Sequence, residues 1–553
     1  MSTLLVPSSP PQPETPAPAA APAAPFLERA GPAPYITAVT LPTIVPVVAA
    51  EPLIGEASAA FPHSDDLIGV TAFQDDLATW DQGPLSAFDR ALSGNLRRAS
   101  LDERFRGNLG TSLVMQTDAA LPGRRLVLVG AGPFEGSSAA LAQHLAAAIV
   151  RVANRVGART LTITCPRLPA GASSVAWLEA LARGAALGSY RFDKYRTGDD
   201  RGPATLETVH LTVTSDLLDA AGSAIARGSR VAAAVAHARD LVNEPAVALT
   251  PKMLAAIEVE RAHAVGLEAN VLGPAECLER GMGLFLAVAR GSVEEPRFIH
   301  LTWRPEKSVA RVVLVGKGVT FDSGGLSLKT NEGMQDMKSD MAGAAAVCSA
   351  LAVAAEEKLP VEVHALCACT ENMPSGNAYR LGDVIRSMSG RTVEINNTDA
   401  EGRLTMADAL TYALELRPDF VIDFATLTGA CMVALGPHTA GVMSNNEALV
   451  SDWLAAARTA GEDMWQLPLP LRLFDQLKSE IADLRNTGER WGGALTAGLF
   501  LKEFVGSTPW VHVDIAGPAT ADKEWGVIPK GGTGFAVATI VQYLRTLAAR
   551  KAP

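Results

Sequence analysis

The sequence predicts an α/β fold of two α/β domains, a smaller N-terminal one and a larger C-terminal one with a mostly parallel central sheet covered by helices. Three observations carry this expectation. The chain has 553 residues, too many for one simple hydrophobic core. Its composition, 48% apolar and 19% charged, is that of a globular protein with a sizeable interior. Short β-branched runs alternate with longer runs of helical period, the order that builds a parallel sheet with helical crossovers.

Residues 1–34 hold ten Pro and eight Ala, a composition that favours an extended, disordered arm. Strand character begins near Tyr35 in "YITAVTLPTIVPVV", whose β-branched residues suit a pleated surface. "RLVLVGAG" then reads as a strand, "SSAALAQHLAAAIVRVANRVG" as a helix, "ARTLTITC" as a strand and "SVAWLEALARGAALGSYRF" as a helix. The run "DAAGSAIARGSRVAAAVAHARDLVNEPA" reads as a long helix ending near Asn243-Glu244-Pro245, and the domain junction falls within it. The expected division is an arm over 1–34, an N-terminal domain over 35–220 and a C-terminal domain over 221–553. Beyond the junction the alternation resumes with "ARVVLVGKGVTFD", "AGAAAVCSALAVAAEEK", "VEVHALCACTENM", "EGRLTMADALTYALELR" and "DFVIDFATLTGA".

Several function classes are disfavoured. A net charge of −11 argues against a general nucleic-acid binder. The six cysteines, at 165, 277, 348, 367, 369 and 431, form no CxxC pair and read as reduced thiols of a cytoplasmic chain. Apolar stretches are broken by Gly, Pro or charge before reaching the roughly 20 residues a spanning helix needs. The N-terminus lacks the basic start and apolar block of a secretory signal. "VGAGPFEG" follows a strand and precedes a helix, but residues 143–165 contain no acid to bind a ribose. It reads as a plain strand-to-helix turn.

The octapeptide "NTDAEGRL" (397–404) places Asp399, Glu401 and Arg403 at alternating positions. In an extended segment all three would point one way; taken alone, the same residues make an ordinary solvated turn. Other acids stand where strand-end loops should project. "VGKGVTFDSGGLSLK" (315–329) carries Lys317 and Asp322 after an apolar strand, and "MKSDMAGAA" (337–345) sets Asp340 just ahead of a small-residue helix. Strand-end loops face the crevice where α/β proteins bind ligands. Four carboxylates in one pocket stay ionised only beside cations, and two divalent metals would neutralise them and make a hydrolytic site. No HExxH occurs, so the site would be dominated by carboxylates. Zn²⁺ or Mn²⁺ would suit it, with Mg²⁺ and Co²⁺ as further options.

These blocks resemble the leucyl aminopeptidase family, the cytosolic dinuclear-metal aminopeptidases. The resemblance runs through "DLVNEPA", "GMGLFLAVARGS", "VGKGVTFDSGGLSLK", "MKSDMAGAAAV", "ENMPSGNAYRLGD", "NTDAEGRL", "ATLTGA", "RWGGALTAGLFLKEF" and "DIAG", over roughly residues 240–545. It implies that the C-terminal domain is catalytic and removes N-terminal residues, preferably Leu or other apolar ones, from peptides. Lys317, Asp322, Asp340, Asp399 and Glu401 would be ligands of two divalent ions per subunit, Mn or Zn, with Asp322 and Glu401 bridging them. A lysine ligand requires a neutral amine. Lys329 and Arg403 would be the catalytic side chains, Arg403 holding a bicarbonate. Met337, Thr426, Gly429 and Ala516 would line the pocket for the N-terminal side chain. The resemblance further implies a homohexamer in the cytoplasm, acting on peptides and not on membranes. Ala342, Val247 and Leu381 depart from the usual residues of the family, at none of the ligand or catalytic positions. An added nucleic-acid-binding or chaperone role is the alternative, and the absence of a Lys/Arg-rich stripe over 60–220 weighs against the former.

Overall fold

The computed structural model describes residues 40–48, 65–197 and 206–551. The arm expected over 1–34 lies outside the described residues. Two sheets organise the rest. The first runs in the order Thr43–Val48, Thr208–Val213, Thr160–Ile163, Leu67–Ala72, Arg125–Gly130 and Ser112–Gln116. Its neighbours are parallel except at the last pair. The strand and helix runs read from the sequence become Arg125–Gly130, helix Ala139–Arg155, Thr160–Ile163 and helix Ser174–Gly188. Both helices begin at a serine cap: the Ser138 and Ser173 hydroxyls accept from the Leu141 and Ala176 backbone N–H groups at 3.2 and 3.3 Å. Such caps satisfy backbone donors that have no partner within the helix.

The second sheet has eight strands in the order Met464–Gln466, Ala440–Ser444, Trp510–Asp514, Phe420–Ala425, Arg311–Asp322, Glu362–Asn372, Arg297–Trp303 and Glu268–Leu272. The four middle strands, from Trp510–Asp514 to Glu362–Asn372, are mutually parallel, and antiparallel strands flank them on both sides. Strand Arg311–Asp322 is buried over nearly its whole length, as expected for a central strand covered on both faces. Helix Ala342–Glu356 covers it. This helix is so rich in Ala and Gly that its backbone lies directly on the sheet: a Cβ on Gly343 would fall 2.1 Å from the Phe424 carbonyl oxygen and 2.8 Å from the Lys317 nitrogen. Among the described residues one apolar helical stretch, Asn331–Glu356, is long enough to cross a membrane, and 94% of its 18-residue apolar window is buried inside the fold.

Helix Leu218–Asn243 packs against Ser174–Gly188 on one side and Ala342–Glu356 on the other, so it joins the two sheets. Arg545, from the final helix Val537–Lys551, bonds both Glu179 and Glu357 and ties the same elements together. At the end of the long helix the Tyr190 hydroxyl donates to Asp240 Oδ1 at 2.8 Å and accepts from Asn243 Nδ2 at 3.1 Å. Burial pushes Asp240 from its ordinary 3.8 up to about 7, and the nearby Glu244 adds to the rise. A raised carboxyl stabilises the fold fully below its unfolded pKa, and that contribution disappears as pH climbs through the folded value. Wild type should therefore lose thermal stability relative to Asp240→Asn between about pH 4 and about pH 8. Melting curves across that range check it; a constant gap between the two proteins contradicts it.

Candidate metal and peptide site

The carboxyl ends of the parallel strands bring one cluster of charged side chains together. Strand Arg311–Asp322 contributes Lys317 along its length and Asp322 at its end, where Asp322 pairs in register with Asn372 of the neighbouring strand. A short turn, Met337–Ser339, delivers Asp340 immediately before helix Ala342–Glu356. The loop after Phe420–Ala425 brings Thr426, and the loop after Trp510–Asp514 brings Ala516.

"NTDAEGRL" does not form the extended segment that would aim its three charged residues one way. Residues 397–400 are a loop, and helix Glu401–Glu415 starts at the second acid. Glu401 and Arg403 therefore stand two residues apart on a helix, where side chains do not share a face. The loop earns its shape from hydrogen bonds. The Thr398 hydroxyl donates to the Gly324 carbonyl at 2.7 Å and accepts from Ser327 N at 2.8 Å. Tyr379 Oη donates to the Thr398 carbonyl at 2.7 Å.

Asp322, Asp340 and Glu401 are all buried, and each offers a carboxylate oxygen within 4.8 Å of the others. Lys317, 3% exposed, places its Nζ 2.6 Å from Asp340 Oδ1 and 2.8 Å from Glu401 Oε1, and donates to the Thr426 carbonyl at 3.1 Å. Lys329 makes a second bridge, 2.8 Å from Asp322 Oδ2 and 2.5 Å from Asp399 Oδ1. The four sequence-predicted acids and both lysines thus meet, with Asp399 on the half-exposed side. Burial raises the carboxyls of Asp322, Asp340 and Asp399 above their usual range, and neighbouring acids add to this while the ammonium groups oppose it. For Lys317 burial works downward, yet Asp340, Glu401 and Asp322 outweigh it and hold the amine above its usual value. Each ammonium does the work of a cation between two acids.

The donor set fits divalent metal ions. Asp340 Oδ2 and Glu401 Oε2 are buried with no hydrogen-bond partner, which is costly for a carboxylate unless a cation is at hand. Oxygen-rich sites of this kind suit Mn, Mg or Zn. Arg403 is also buried. Its Nη1 donates to the Asn486 carbonyl at 2.8 Å, while its Nε is buried without a partner. Burial pulls its guanidinium down to about 10, with Glu401 and Asp514 as the opposing charges. Of the expected pocket residues, Thr426 joins the cluster directly, its hydroxyl donating to Asp340 Oδ1 at 2.7 Å. Met337 is half-buried on the turn leading to Asp340, Gly429 is exposed at the start of helix Gly429–Leu435, and Ala516 is half-buried.

Three supporting residues escaped the reading of the sequence. Asn372 donates to Asp322 Oδ1 at 2.8 Å and to the Thr398 carbonyl at 3.0 Å. Asn486 accepts from Asn396 N and donates to the Asn397 carbonyl, at 2.9 and 2.6 Å, holding the loop before Asp399. Asp514 accepts from the loop that carries Thr426. Asn372 and Asp514 lie in "ENMPSGNAYRLGD" and "DIAG", so the blocks were visible while the duties were not.

Residues 236–541 match the catalytic domain of the cytosol aminopeptidase family, and residues 68–199 match its N-terminal domain. The chain belongs to the cytosol aminopeptidase family. A probable cytosol aminopeptidase of Synechocystis sp. is 41% identical over 472 residues, covering 85% of this chain and 95% of that one. One from Persephonella marina is 42% identical over 461 residues, covering 82% and 92%. Among solved structures, a tomato leucine aminopeptidase mutant is 35% identical with a TM-score of 0.81, covering 91% of this chain and 97% of that one. The bottromycin maturation enzyme BotP in complex with Mn is 38% identical with a TM-score of 0.78, covering 87% and 99%. The chain is thus a peptidase of this family, with the two-domain α/β fold that its sequence predicts.

Gly402 explains how the family signature accommodates its lysine. A Cβ at this position would lie 2.5 Å from Lys317 Cε and 2.6 Å from Nζ. Elsewhere in a helix Gly→Ala gains about 0.5–1 kcal/mol. Here Gly402→Ala should displace Lys317 from Asp340 and Glu401, lowering bound metal and activity while the fold persists. Metal analysis beside circular dichroism checks this; an alanine variant with full metal content contradicts it.

Proposed function

We propose that the protein is a two-metal aminopeptidase that removes N-terminal Leu and other apolar residues from peptides. The observation that carries this reading is the buried convergence of Asp322, Asp340 and Glu401 around Lys317, in a chain of the cytosol aminopeptidase family. Lys317, Asp322, Asp340, Asp399 and Glu401 would hold the two ions. Divalent ions, Mn or Zn, would supply the positive charge that binds a free α-amine, polarises a peptide carbonyl and makes water a nucleophile at neutral pH.

The chain's own residues do the rest. To serve as a ligand, Lys317 must give up the proton that Asp340 and Glu401 favour, so metal loading releases protons. Lys329 is then free of part of its present pairing and donates to the oxygen on which charge develops, a preorganised contact of the kind that dominates many rate enhancements. Arg403, with its unpartnered Nε, would hold a small anion such as bicarbonate, which when bound would supply a proton acceptor. Met337, Thr426, Gly429 and Ala516 form the apolar pocket, which favours Leu or Met over charged side chains.

The same reading makes the protein cytoplasmic and hexameric, with a junction near residue 220 between the N-terminal and catalytic domains. Light scattering should give six times the chain mass; a monomer would remove that part of the reading. The relatives' names speak of aminopeptidases, and nothing favours an added nucleic-acid or chaperone role.

Asp399→Ala and Glu401→Ala should each abolish hydrolysis of Leu-anilide by the Mn-loaded protein with the fold retained. Near-normal turnover in either would overturn the ligand assignment. Lys329→Ala should slow the reaction by roughly 100-fold or more, the usual loss for an oxyanion contact, with both ions still bound. Loss of an ion from that variant would make Lys329 a metal-site residue instead of a catalytic one.

A further inference from the structure

The loops that carry the substrate pocket share one buried anion. Asp514 ends strand Trp510–Asp514 and is 0% exposed. Its Oδ1 accepts from the backbone N–H groups of Leu427, Thr428 and Ala516 at 3.2, 3.4 and 3.2 Å. Its Oδ2 accepts from the Thr428 hydroxyl at 2.7 Å. That hydroxyl in turn accepts from Cys431 N at 3.0 Å and so caps helix Gly429–Leu435. The two strands pair up to Ala425 and Asp514, with one more backbone bond from Ile515 N to the Ala425 carbonyl. Beyond that point the Asp514 side chain joins their loops. Gly517 follows closely, since a Cβ there would lie 2.7 Å from the Gly436 carbonyl oxygen at the far end of the same helix.

We infer that Asp514 is the positioning residue that sets side-chain specificity, by locking the 426–429 loop and Ala516 into one frame. This rests on the reading that Thr426, Gly429 and Ala516 line the pocket. The chemistry at this position demands an acceptor only. Four donors converge on Asp514, three N–H groups and one O–H, and a carboxylate can receive them all. The Thr428 hydroxyl has a single proton; giving it to Asp514 leaves a lone pair for Cys431 N. An asparagine of the same shape carries two hydrogens of its own and must turn them against one set of donors. Asp514→Asn therefore breaks the frame while barely changing volume. Asp514 bonds neither the acids nor the lysines of the metal cluster, and its loop reaches them only through Thr426, so its effect should fall first on pocket shape.

The test uses the Mn-loaded full chain and its variants Asp514→Asn, Thr428→Val and Thr428→Ser on Leu-, Met- and Ala-anilides. Asp514→Asn and Thr428→Val should lower kcat/KM for Leu-anilide roughly tenfold, mainly through KM, as expected when a buried polar group loses its partner. The preference for Leu over Ala should shrink with it, and the Mn content should hold. Thr428→Ser, which keeps the hydroxyl, should recover most of what the valine variant loses. Hydrogen exchange at the amides of 427–431 should quicken in the two damaging variants. An unchanged Leu-to-Ala ratio in both, or unchanged exchange, overturns the inference. Should Asp514→Asn fail to fold, the Thr428 pair decides. Should wild type cleave no aminoacyl-anilide, the hydrolytic reading falls, and exchange alone still decides whether Asp514 holds the loops.

Discussion

The constraint on which the site depends is the cost of placing acids where water cannot reach them. Asp322, Asp340 and Glu401 are each 3% exposed or less, and mutually close carboxylates at that depth cannot all stay ionised without positive charge beside them. The fold meets this with two lysines on different segments. Lys317 comes from within the central strand and Lys329 from the glycine-rich loop beyond it, and each bridges two acids. On the proposed reading, metal ions would compete with the ammonium groups for the same oxygens, so metal uptake and proton release would be one event.

The packing around the cluster follows from the same demand. Lys317 reaches its partners only because small residues surround it. Gly343 lets the covering helix sit against the strand at the Lys317 nitrogen, and Gly402 leaves room for the end of the side chain. The alanine-rich helix Ala342–Glu356 is a consequence, since larger residues would lift it off the sheet and widen the cleft. Its apolar character arises from close packing in a protein interior.

The fold class and the element order were legible in the sequence, because strands and helices differ in period, and the four acids and two lysines that meet in the structure were singled out by the family blocks in which they lie. The shape of "NTDAEGRL" was not. Alternating charges imitate a strand, while the helical period that follows, "EGRLTMADALTYALELR", begins at Glu401 and takes the segment over. Local alternation over five residues is a weaker signal than a fifteen-residue helical run, of which all but Thr411, Leu414 and Glu415 are buried. Also illegible were residues whose work is purely acceptor or donor chemistry across loops. Asn372, Asn486 and Asp514 lie 50, 83 and 86 residues along the chain from the partners Asp322, Arg403 and Thr428, and no local pattern announces such a bond.

Those loop residues divide the labour with the metal cluster. Lys317, Asp322, Asp340 and Glu401 are mounted on a central strand, a turn and a helix start packed against the sheet, so their separations are fixed by backbone geometry, while Lys329 and Asp399 reach them from loops. The proposed pocket residues Thr426 and Ala516 sit on loops and Gly429 opens a short helix, beyond the reach of strand pairing. A buried carboxylate that receives four donors substitutes for the missing ladder and gives a loop nearly the rigidity of a strand end. On the proposed reading, the strand, turn and helix start hold the buried acids while tied loops hold the pocket, and the bond that ties those loops is the hydroxyl of Thr428 donating to Asp514.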